Sequence, residues 1–287
     1  MMHRLDLRIG PVTFRIGSDW AAPLKPLRRL YSGYPEPEGV ADFTVRLEAE
    51  RFWRRFIRPS VAIRGDYTLP DALPLSLAHG LLAAEMGMNL QMALGQKRYL
   101  LLHASAVEKD GKAVLMTGHS GAGKSTLAAL LGEKGWRLMG DEFALVDLDS
   151  GEIRAFPRAV SLKNQAIRLF ADADPARLGP ELKGTPKGTI RHLKPNAEAV
   201  ARMDEPARPV LLLFPRFGRD HPVEVRPVGA AEVFVRLTQS STNYVALGER
   251  AFDVFARTLL PLPTRAIDYS SSEEGIALVE QLFGELK

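Results

Sequence analysis

The chain has 287 residues, 46% of them hydrophobic and 25% charged, with a formal net charge of +4. These proportions are ordinary for a globular protein, and the length suits one large domain or two smaller ones. The absence of cysteine excludes disulfides, thiolate catalysis and cysteine-ligated metal centres. The N terminus lacks the apolar core of a signal peptide, and no apolar run approaches the ~20 residues that span a membrane. We therefore expect a cytoplasmic protein without a membrane span.

The first part of the chain is predicted to be rich in β-strand. Polar and apolar residues alternate in LDLRIGPVTFRIG, ADFTVRLEAE and PSVAIRGDYTL, each of which is bounded by Gly, Pro or Asp. Prolines at 70 and 74 then close this section. We place a β-rich N-terminal section at 1–74 and a second domain at 75–287.

Residues 75–287 alternate between helical and strand patterns, which indicates an α/β fold. Apolar residues recur at helical spacing from Leu75 to about Gln96. The stretch RYLLLHASAVEKDGKAVLMTG predicts two strands joined by a turn at 109–111, and WRLMG predicts a further buried strand. Toward the C terminus, VLLLFPRF and TRAIDYS read as strands, and AAEVFVRLTQ, ERAFDVFARTLL and SSEEGIALVEQLFGEL as helices.

The segment GHSGAGKST, residues 118–126, satisfies the pattern G-x-x-x-x-G-K-[ST] between a predicted strand and a predicted helix. Glycines in such a loop let backbone N–H groups turn toward phosphate oxygens, and the helix N terminus adds its positive dipole. We predict nucleotide binding, with Lys124 at the β- and γ-phosphates and the Ser125 hydroxyl on Mg²⁺. The residues predicted to contact ATP here are Gly118, Ser120, Gly121, Ala122, Gly123, Lys124, Ser125 and Thr126.

Asp141 and Glu142 end the strand that follows this loop and helix. Adjacent parallel strands flanking the helix would place both carboxylates beside the phosphates. One would then serve the metal, and the other would accept a proton from an attacking hydroxyl. The alternative is a solvated turn, but the flanking WRLM and FALV are too apolar for an exposed loop.

His103 lies in LLLHASAV, upstream of the glycine-rich loop. It is either a satisfied histidine of the core or a group that orients Asp141 from a neighbouring strand.

His103, the GHSGAGKS loop and GWRLMGDE, at this close spacing, resemble the catalytic core of the bacterial HPr kinase/phosphorylase family. The segments PRAVSLKN, GTIRHLKP and FPRF, with Asn243-Tyr244, resemble the subgroup called HprK-related kinase A. The resemblance implies a P-loop kinase core akin to ATP-dependent phosphoenolpyruvate carboxykinase. It further implies transfer of phosphate to a serine-type hydroxyl, and self-association, because the relatives form hexamers.

Carried over by position, the resemblance implies that Asp141 is the catalytic base, supported by His103. It also implies that Glu142 joins Ser125 at the metal. Two residues depart from the family pattern: Glu142 replaces a second Asp, and Thr126 stands where Glu is common. The family signature E-[IV]-R-G-[LI]-G is not recognisable, which argues against phosphorylase activity and against HPr as the substrate.

Three basic segments lie outside this core. We expect two lysines from these segments at the phosphates: Lys163 from FPRAVSLKN and Lys187 from GTPKGTIRHLKP. The second segment is predicted to be a loop that closes over the nucleotide, or else a solvated basic loop. RFWRRFIRP, residues 51–59, mixes Arg with Phe and Trp. We expect its Arg stems to cover an aromatic edge of the core; the alternatives are docking of an acidic protein, contact with a membrane surface and binding of single-stranded nucleic acid.

The sequence therefore predicts an ATP- and Mg²⁺-dependent kinase acting on a hydroxyl of a peptide, protein or small molecule. A nucleotide-dependent regulatory ATPase or sensor is the main alternative. A nucleic-acid-stimulated ATPase that uses residues 51–59 is the third, and nucleic acid is not the expected partner.

Overall fold

The computed structural model describes residues 2–286. Its strands are β1 (His3–Ile9), β2 (Val12–Ser18), β3 (Phe43–Ala49), β4 (Ser60–Gly65), β5 (Leu75–Ser76), β6 (Tyr99–Leu102), β7 (Ala104–Lys109), β8 (Lys112–Thr117), β9 (Arg137–Gly140), β10 (Ala144–Asp147), β11 (Ile153–Arg154), β12 (Val160–Lys163), β13 (Leu182–Thr185), β14 (Gly188–Leu193), β15 (Arg208–Phe217), β16 (Glu224–Pro227) and β17 (Thr264–Tyr269).

Its α-helices are α1 (Ala21–Leu30), α2 (Gly80–Gly95), α3 (Lys124–Glu133), α4 (Ala197–Ala201), α5 (Ala230–Ser240), α6 (Tyr244–Leu247), α7 (Glu249–Val254) and α8 (Ser272–Gly284). Short 3₁₀ turns occupy Phe52–Arg55, Leu77–His79 and Asn164–Phe170, and a π-helical turn occupies Phe255–Leu259. The chain is therefore a mixed α/β protein. No helix within residues 2–286 has the length and apolar character needed to cross a membrane.

The first of two compact units contains the residues up to Gln96 together with Ala159–Lys194. It has a five-stranded sheet in the order β1-β2-β3-β4-β5 and a three-stranded sheet in the order β12-β14-β13. β2 and β3 are parallel, with α1 as the connection between them, and α2 packs on β3 and β4. This division differs from a boundary at 74/75, because α2 belongs with the first sheet. The helix packs so closely on β3 that a Cβ added to Gly87 would lie 2.5 Å from Cγ1 of Val45.

The second unit contains Lys97–Arg158 and the residues from Pro195 onward. Its main sheet has the order β16-β17-β15-β8-β7-β9, and a smaller sheet has the order β11-β10-β6. β8, β15 and β17 are parallel, whereas β7 is antiparallel to both β8 and β9. The expectation that the strand before the glycine-rich loop and the strand before Asp141 are neighbours is therefore wrong, since β7 lies between them.

Several predicted elements of the second unit are confirmed, with one split. The predicted first strand of the hairpin is interrupted at His103, so β6 and β7 belong to different sheets. The predicted turn between β7 and β8 is present, with φ of 54° at Asp110 and 74° at Gly111, as the right-handed twist of a two-residue hairpin requires. Ser271 caps α8 and forms a capping box with Glu274.

A buried ion pair joins β7 to β9, close to the last residue of β7 and at the first residue of β9. Glu108 and Arg137 are both 1% exposed, directly opposite each other in the ladder, and hydrogen-bonded. Arg137 Nη1 also donates to the carbonyl oxygens of Arg202 (2.7 Å) and Glu205 (2.9 Å). Burial raises the pKa of Glu108, but hydrogen bonds from Arg137 and Gly111 and the charge of Arg202 outweigh it, so its pKa lies below the usual range.

We expect Glu108→Gln to lower the free energy of unfolding at pH 7 by about 3–5 kcal/mol, because it leaves the buried Arg137 charge without its carboxylate. A lowered pKa contributes stability above the unfolded value, about 4.3 for Glu, and loses it as the pH falls through the folded value. The difference in unfolding free energy between wild type and variant, measured by urea unfolding, should therefore shrink below about pH 4.

Glu198→Gln is the matched control, since Glu198 pairs with Arg202 at 2.6 Å but is 51% exposed. Its cost should stay below about 1 kcal/mol. Equal costs for the two variants would contradict the assigned role of the buried pair.

Candidate functional site

Three strand ends meet at one edge of the main sheet of the second unit. β8 ends at Thr117 and β9 ends at Gly140, and β7, which runs the opposite way between them, begins at Ala104. Ala104 therefore pairs with Thr117, and Ala106 pairs with Gly140. This arrangement brings the glycine-rich loop after β8, the carboxylates after β9 and the residues around the start of β7 to the same edge.

The glycine-rich loop has the strand–loop–helix context that the sequence predicts. It follows β8 directly, and α3 begins at Lys124. Gly118, Gly121 and Gly123 have φ values of 148°, 87° and 95°, a region that side chains with a Cβ rarely enter. The loop is largely accessible from Gly118 to Gly123, so its backbone N–H groups and the first turn of α3 can be reached by an anion.

The side chain of Lys124 folds back along this loop. Its Nζ donates to the carbonyl oxygens of Gly118 at 2.7 Å and His119 at 2.9 Å, and the residue is 7% exposed. The ammonium group therefore lies within the concave backbone rather than in bulk water, which concentrates positive charge there.

Two aromatic residues to which the sequence analysis assigns no role support the loop from neighbouring strands. The N–H of Phe217, at the end of β15, donates to the carbonyl oxygen of Ala122 at 3.2 Å. A Cβ on Gly123 would lie 2.6 Å from the Tyr269 hydroxyl at the end of β17. Burial raises the pKa of Tyr269, so this phenol is neutral at physiological pH. A glycine at 123 is therefore required both by φ and by space.

Asp141 follows β9 as a buried carboxylate. It is 2% exposed, and the Ser105 hydroxyl, which is itself in a buried residue, donates to its Oδ1 at 2.6 Å. Ser105 lies in β7, one residue before Ala106, which pairs with Gly140. The solvated-turn alternative for Asp141 is thus wrong. No sequence signal points to Ser105, because serine in a buried strand carries no motif.

His103 and Glu142 lie together at the same edge, and both are accessible. Nδ1 of His103 is 3.6 Å from Oε2 of Glu142, with side-chain exposures of 42% and 30%. His103 is therefore not a buried residue of the core. Its imidazole lies within ion-pair distance of Glu142. Asp141 accepts a hydrogen bond from Ser105 instead. Glu142 has φ of 69°, an unusual value for a residue with a Cβ, and such strain is often found at functional sites.

A β-bulge in β9 directs the chain into this turn. Leu138 opposes Val107 and Gly140 opposes Ala106, so Met139 is an extra residue in the ladder. A Cβ on Gly140 would lie only 2.4 Å from the carbonyl oxygen of Phe143. The turn that carries Asp141 and Glu142 can therefore close this tightly only over a glycine.

A second charged group lies at the ends of β15 and β17. Asp268, 1% exposed, accepts a hydrogen bond from Arg216 Nε at 3.0 Å and lies 3.6 Å from Arg226 Nη2. The hydrogen bond and charge of Arg216, with Arg226 adding to them, hold the pKa of Asp268 below its usual range. Asp268 is thus an ionised structural partner of Arg216, which is 58% exposed.

The remaining predicted phosphate contacts belong to the first unit. Lys163 ends β12, and Lys187 lies in the turn between β13 and β14. GTPKGTIRHLKP is therefore mostly a β-hairpin, and the expectation of a loop is wrong for it. A nucleotide contact for Lys163 or Lys187 stays a prediction from the sequence.

Comparison with known proteins gives three findings. Residues 82–169 match the family model described as "SynChlorMet cassette protein ScmC". This segment includes His103, the glycine-rich loop and Asp141. The curated proteins give no match.

Among solved structures, the chain is similar to the Hpr(Ser) kinase/phosphatase from Coxiella burnetii. The identity is 14%, the match covers 64% of this chain and 92% of that one, and the TM-score is 0.28. A superposition of this quality does not assign the fold, and the α/β description rests on the strands and helices given above.

We expect Gly140→Ala to destabilise the protein by about 1–3 kcal/mol, because the added Cβ must displace the backbone at Phe143. Gly132→Ala is the matched control: it lies in α3 with nothing within 4 Å of the added Cβ. That substitution should be neutral or stabilising by up to about 1 kcal/mol. Thermal unfolding of both variants tests the tight turn, and a Gly140→Ala protein as stable as wild type would show that the turn can relax.

Proposed function

We propose that this protein is a kinase that transfers the γ-phosphoryl group of ATP to a serine-type hydroxyl of a peptide, protein or small molecule. The proposal rests on one observation. The glycine-rich loop, with Lys124, lies at the same edge of one sheet as the buried carboxylate of Asp141. Phosphoryl transfer depends on positioning and charge stabilisation, and these are what the two groups would supply.

The loop would bind the triphosphate of ATP. Backbone N–H groups between Gly118 and Gly123 would donate to phosphate oxygens, and the first turn of α3 would add its dipole. Lys124 would exchange its hydrogen bonds to the Gly118 and His119 carbonyl oxygens for contacts with the β- and γ-phosphates.

Asp141 would act as the general base. The acceptor hydroxyl would give its proton to a carboxylate oxygen of Asp141 while its oxygen forms a bond to the γ-phosphorus. The bond from that phosphorus to the bridging oxygen would break, leaving ADP. The Ser105 hydroxyl would hold the carboxylate in place through Oδ1, because it donates at 2.6 Å from a rigid strand. Ser105 is thus a positioning residue in this proposal.

In this proposal, Ser125 and Glu142 would hold a magnesium ion at this edge. Ser125 lies in the first turn of α3, partly exposed, and Glu142 offers an accessible carboxylate. No group of three or more His, Cys, Asp and Glu in the described part of the chain forms a complete metal cage. Mg²⁺ commonly uses one or two protein ligands together with substrate phosphates and water. When bound, the ion would neutralise charge on the phosphates.

We expect Asp141→Asn to reduce phosphoryl transfer by about 10²-fold or more, because the amide cannot accept the proton. Binding of Mg-ATP, measured by titration calorimetry, should stay within a few-fold of wild type. The assay uses γ-labelled ATP with the products of neighbouring genes, and mass spectrometry locates any phosphoserine or phosphothreonine.

Asp149→Asn is the control for that assay, because Asp149 is 92% exposed in a turn. It should transfer phosphate at the wild-type rate. Absence of ATP binding by wild type would refute the proposal. Release of inorganic phosphate at a rate that no acceptor changes would favour the regulatory ATPase instead.

We expect Ser105→Ala to lower kcat by about tenfold with the KM for ATP unchanged, because the loop is untouched while the base loses its support. Ser105→Thr keeps the hydroxyl and should recover most of kcat. A general packing defect would move both kinetic constants and would not be rescued by threonine.

A further inference from the structure

The connection between β3 and β4 in the first unit exposes a cluster of large apolar side chains. We call residues 51–58 the Arg/aromatic turn. Phe52 is 80% exposed, Trp53 51%, Phe56 69% and Ile57 65%. The expectation that arginine stems cover a buried aromatic edge is wrong here, since these apolar groups face solvent. Exposed apolar side chains in one contiguous segment mark interaction sites.

The turn is held in this shape by the unit beneath it. The N–H groups of Phe56 and Ile57 donate to the carbonyl oxygen of Trp53 at 3.0 and 2.9 Å, which closes a helical turn. Nε1 of Trp20 donates to the carbonyl oxygen of Arg55 at 3.0 Å, and Nη2 of Arg55 donates to Asp19 O at 3.2 Å. The four apolar side chains therefore project from an anchored turn.

The turn also carries a local excess of positive charge. It contains four arginines, Arg51, Arg54, Arg55 and Arg58, and no acidic residue. Across residues 2–286, none of the four forms an ion pair with a carboxylate. Their positive charge is thus available to an anionic partner.

We propose that the Arg/aromatic turn docks the protein on an anionic lipid surface. The apolar side chains would enter the boundary between headgroups and acyl chains, and the arginines would remain at the level of the phosphates. Aromatic residues and arginine are the side chains that favour this interface, and an anionic surface attracts each added cation. A bilayer accepts a projecting turn without a matching pocket, which an acidic protein would have to supply.

Single-stranded nucleic acid fits the turn less well than lipid, because base stacking would leave the exposed Ile57 unused. Cζ of Arg51 lies 5.3 Å from the Trp53 ring centroid, and Cζ of Arg55 lies 5.9 Å from that of Phe56. Phe52 and Phe56 also meet edge to face, at 6.0 Å. Base stacking uses ring faces, and Ile57 has none to offer.

The test is co-sedimentation of the full chain with vesicles of phosphatidylcholine containing about 30% phosphatidylserine, and with pure phosphatidylcholine. We expect binding to the anionic vesicles, weakened by high salt, with a blue shift of tryptophan emission that Trp53→Phe abolishes. The double variant Arg51→Ser/Phe52→Ser should lower the apparent affinity by about tenfold or more, since it removes one cation and one apolar anchor.

The matched control is Arg168→Ser/Leu169→Ser. It also removes one exposed cation and one apolar side chain, Leu169 being 50% exposed, from another segment of the same unit. It should bind vesicles as wild type does. Circular dichroism checks that both variants fold. No binding to anionic vesicles, equal loss in both variants, or turn-dependent binding of an acidic peptide or single-stranded DNA in place of vesicles would each overturn the proposal.

Discussion

The register between β7 and β9 is the constraint on which the candidate site depends. Glu108 and Arg137 face each other in the ladder, are both buried, and are hydrogen-bonded. A one-residue slip would turn every side chain of β7 to the other face of the sheet and leave two buried charges unmatched. The ion pair therefore fixes which residue of β7 faces Asp141 at the opposite end of the strand.

That register, together with one bulge, produces the carboxylate site. Met139 is the extra residue, Gly140 allows the turn to close, and Asp141 then meets the hydroxyl of Ser105. The antiparallel strand β7 lies between β8 and β9, and its Ser105 supplies that hydroxyl. Had the two strands been direct neighbours, no residue of β7 would be available to hold the carboxylate, and His103 would not lie beside Glu142.

The two proposals concern separate compact units and rest on different chemistry. In the second unit, glycines, a lysine and a buried carboxylate suit phosphoryl transfer to a hydroxyl. In the first unit, the Arg/aromatic turn has four exposed apolar side chains and four arginines that pair with no carboxylate among residues 2–286, which suits an anionic surface. Because the Arg/aromatic turn contains none of the proposed catalytic groups, lipid binding and transfer can be tested with separate variants.

The sequence by itself determined the elements whose signals are local. Period-two alternation identified β1–β4, the turn predicted at 109–111 joins β7 to β8, and the helical pattern of SSEEGIALVEQLFGEL identified α8. The glycine-rich loop was predictable for the same reason, because its backbone requires glycine at fixed positions. Only the tertiary structure decided the order of the strands, the place of Ser105 beside Asp141 and the exposure of the Arg/aromatic turn. These depend on pairing and packing between residues far apart in the chain, which the spacing of residues along a sequence does not specify.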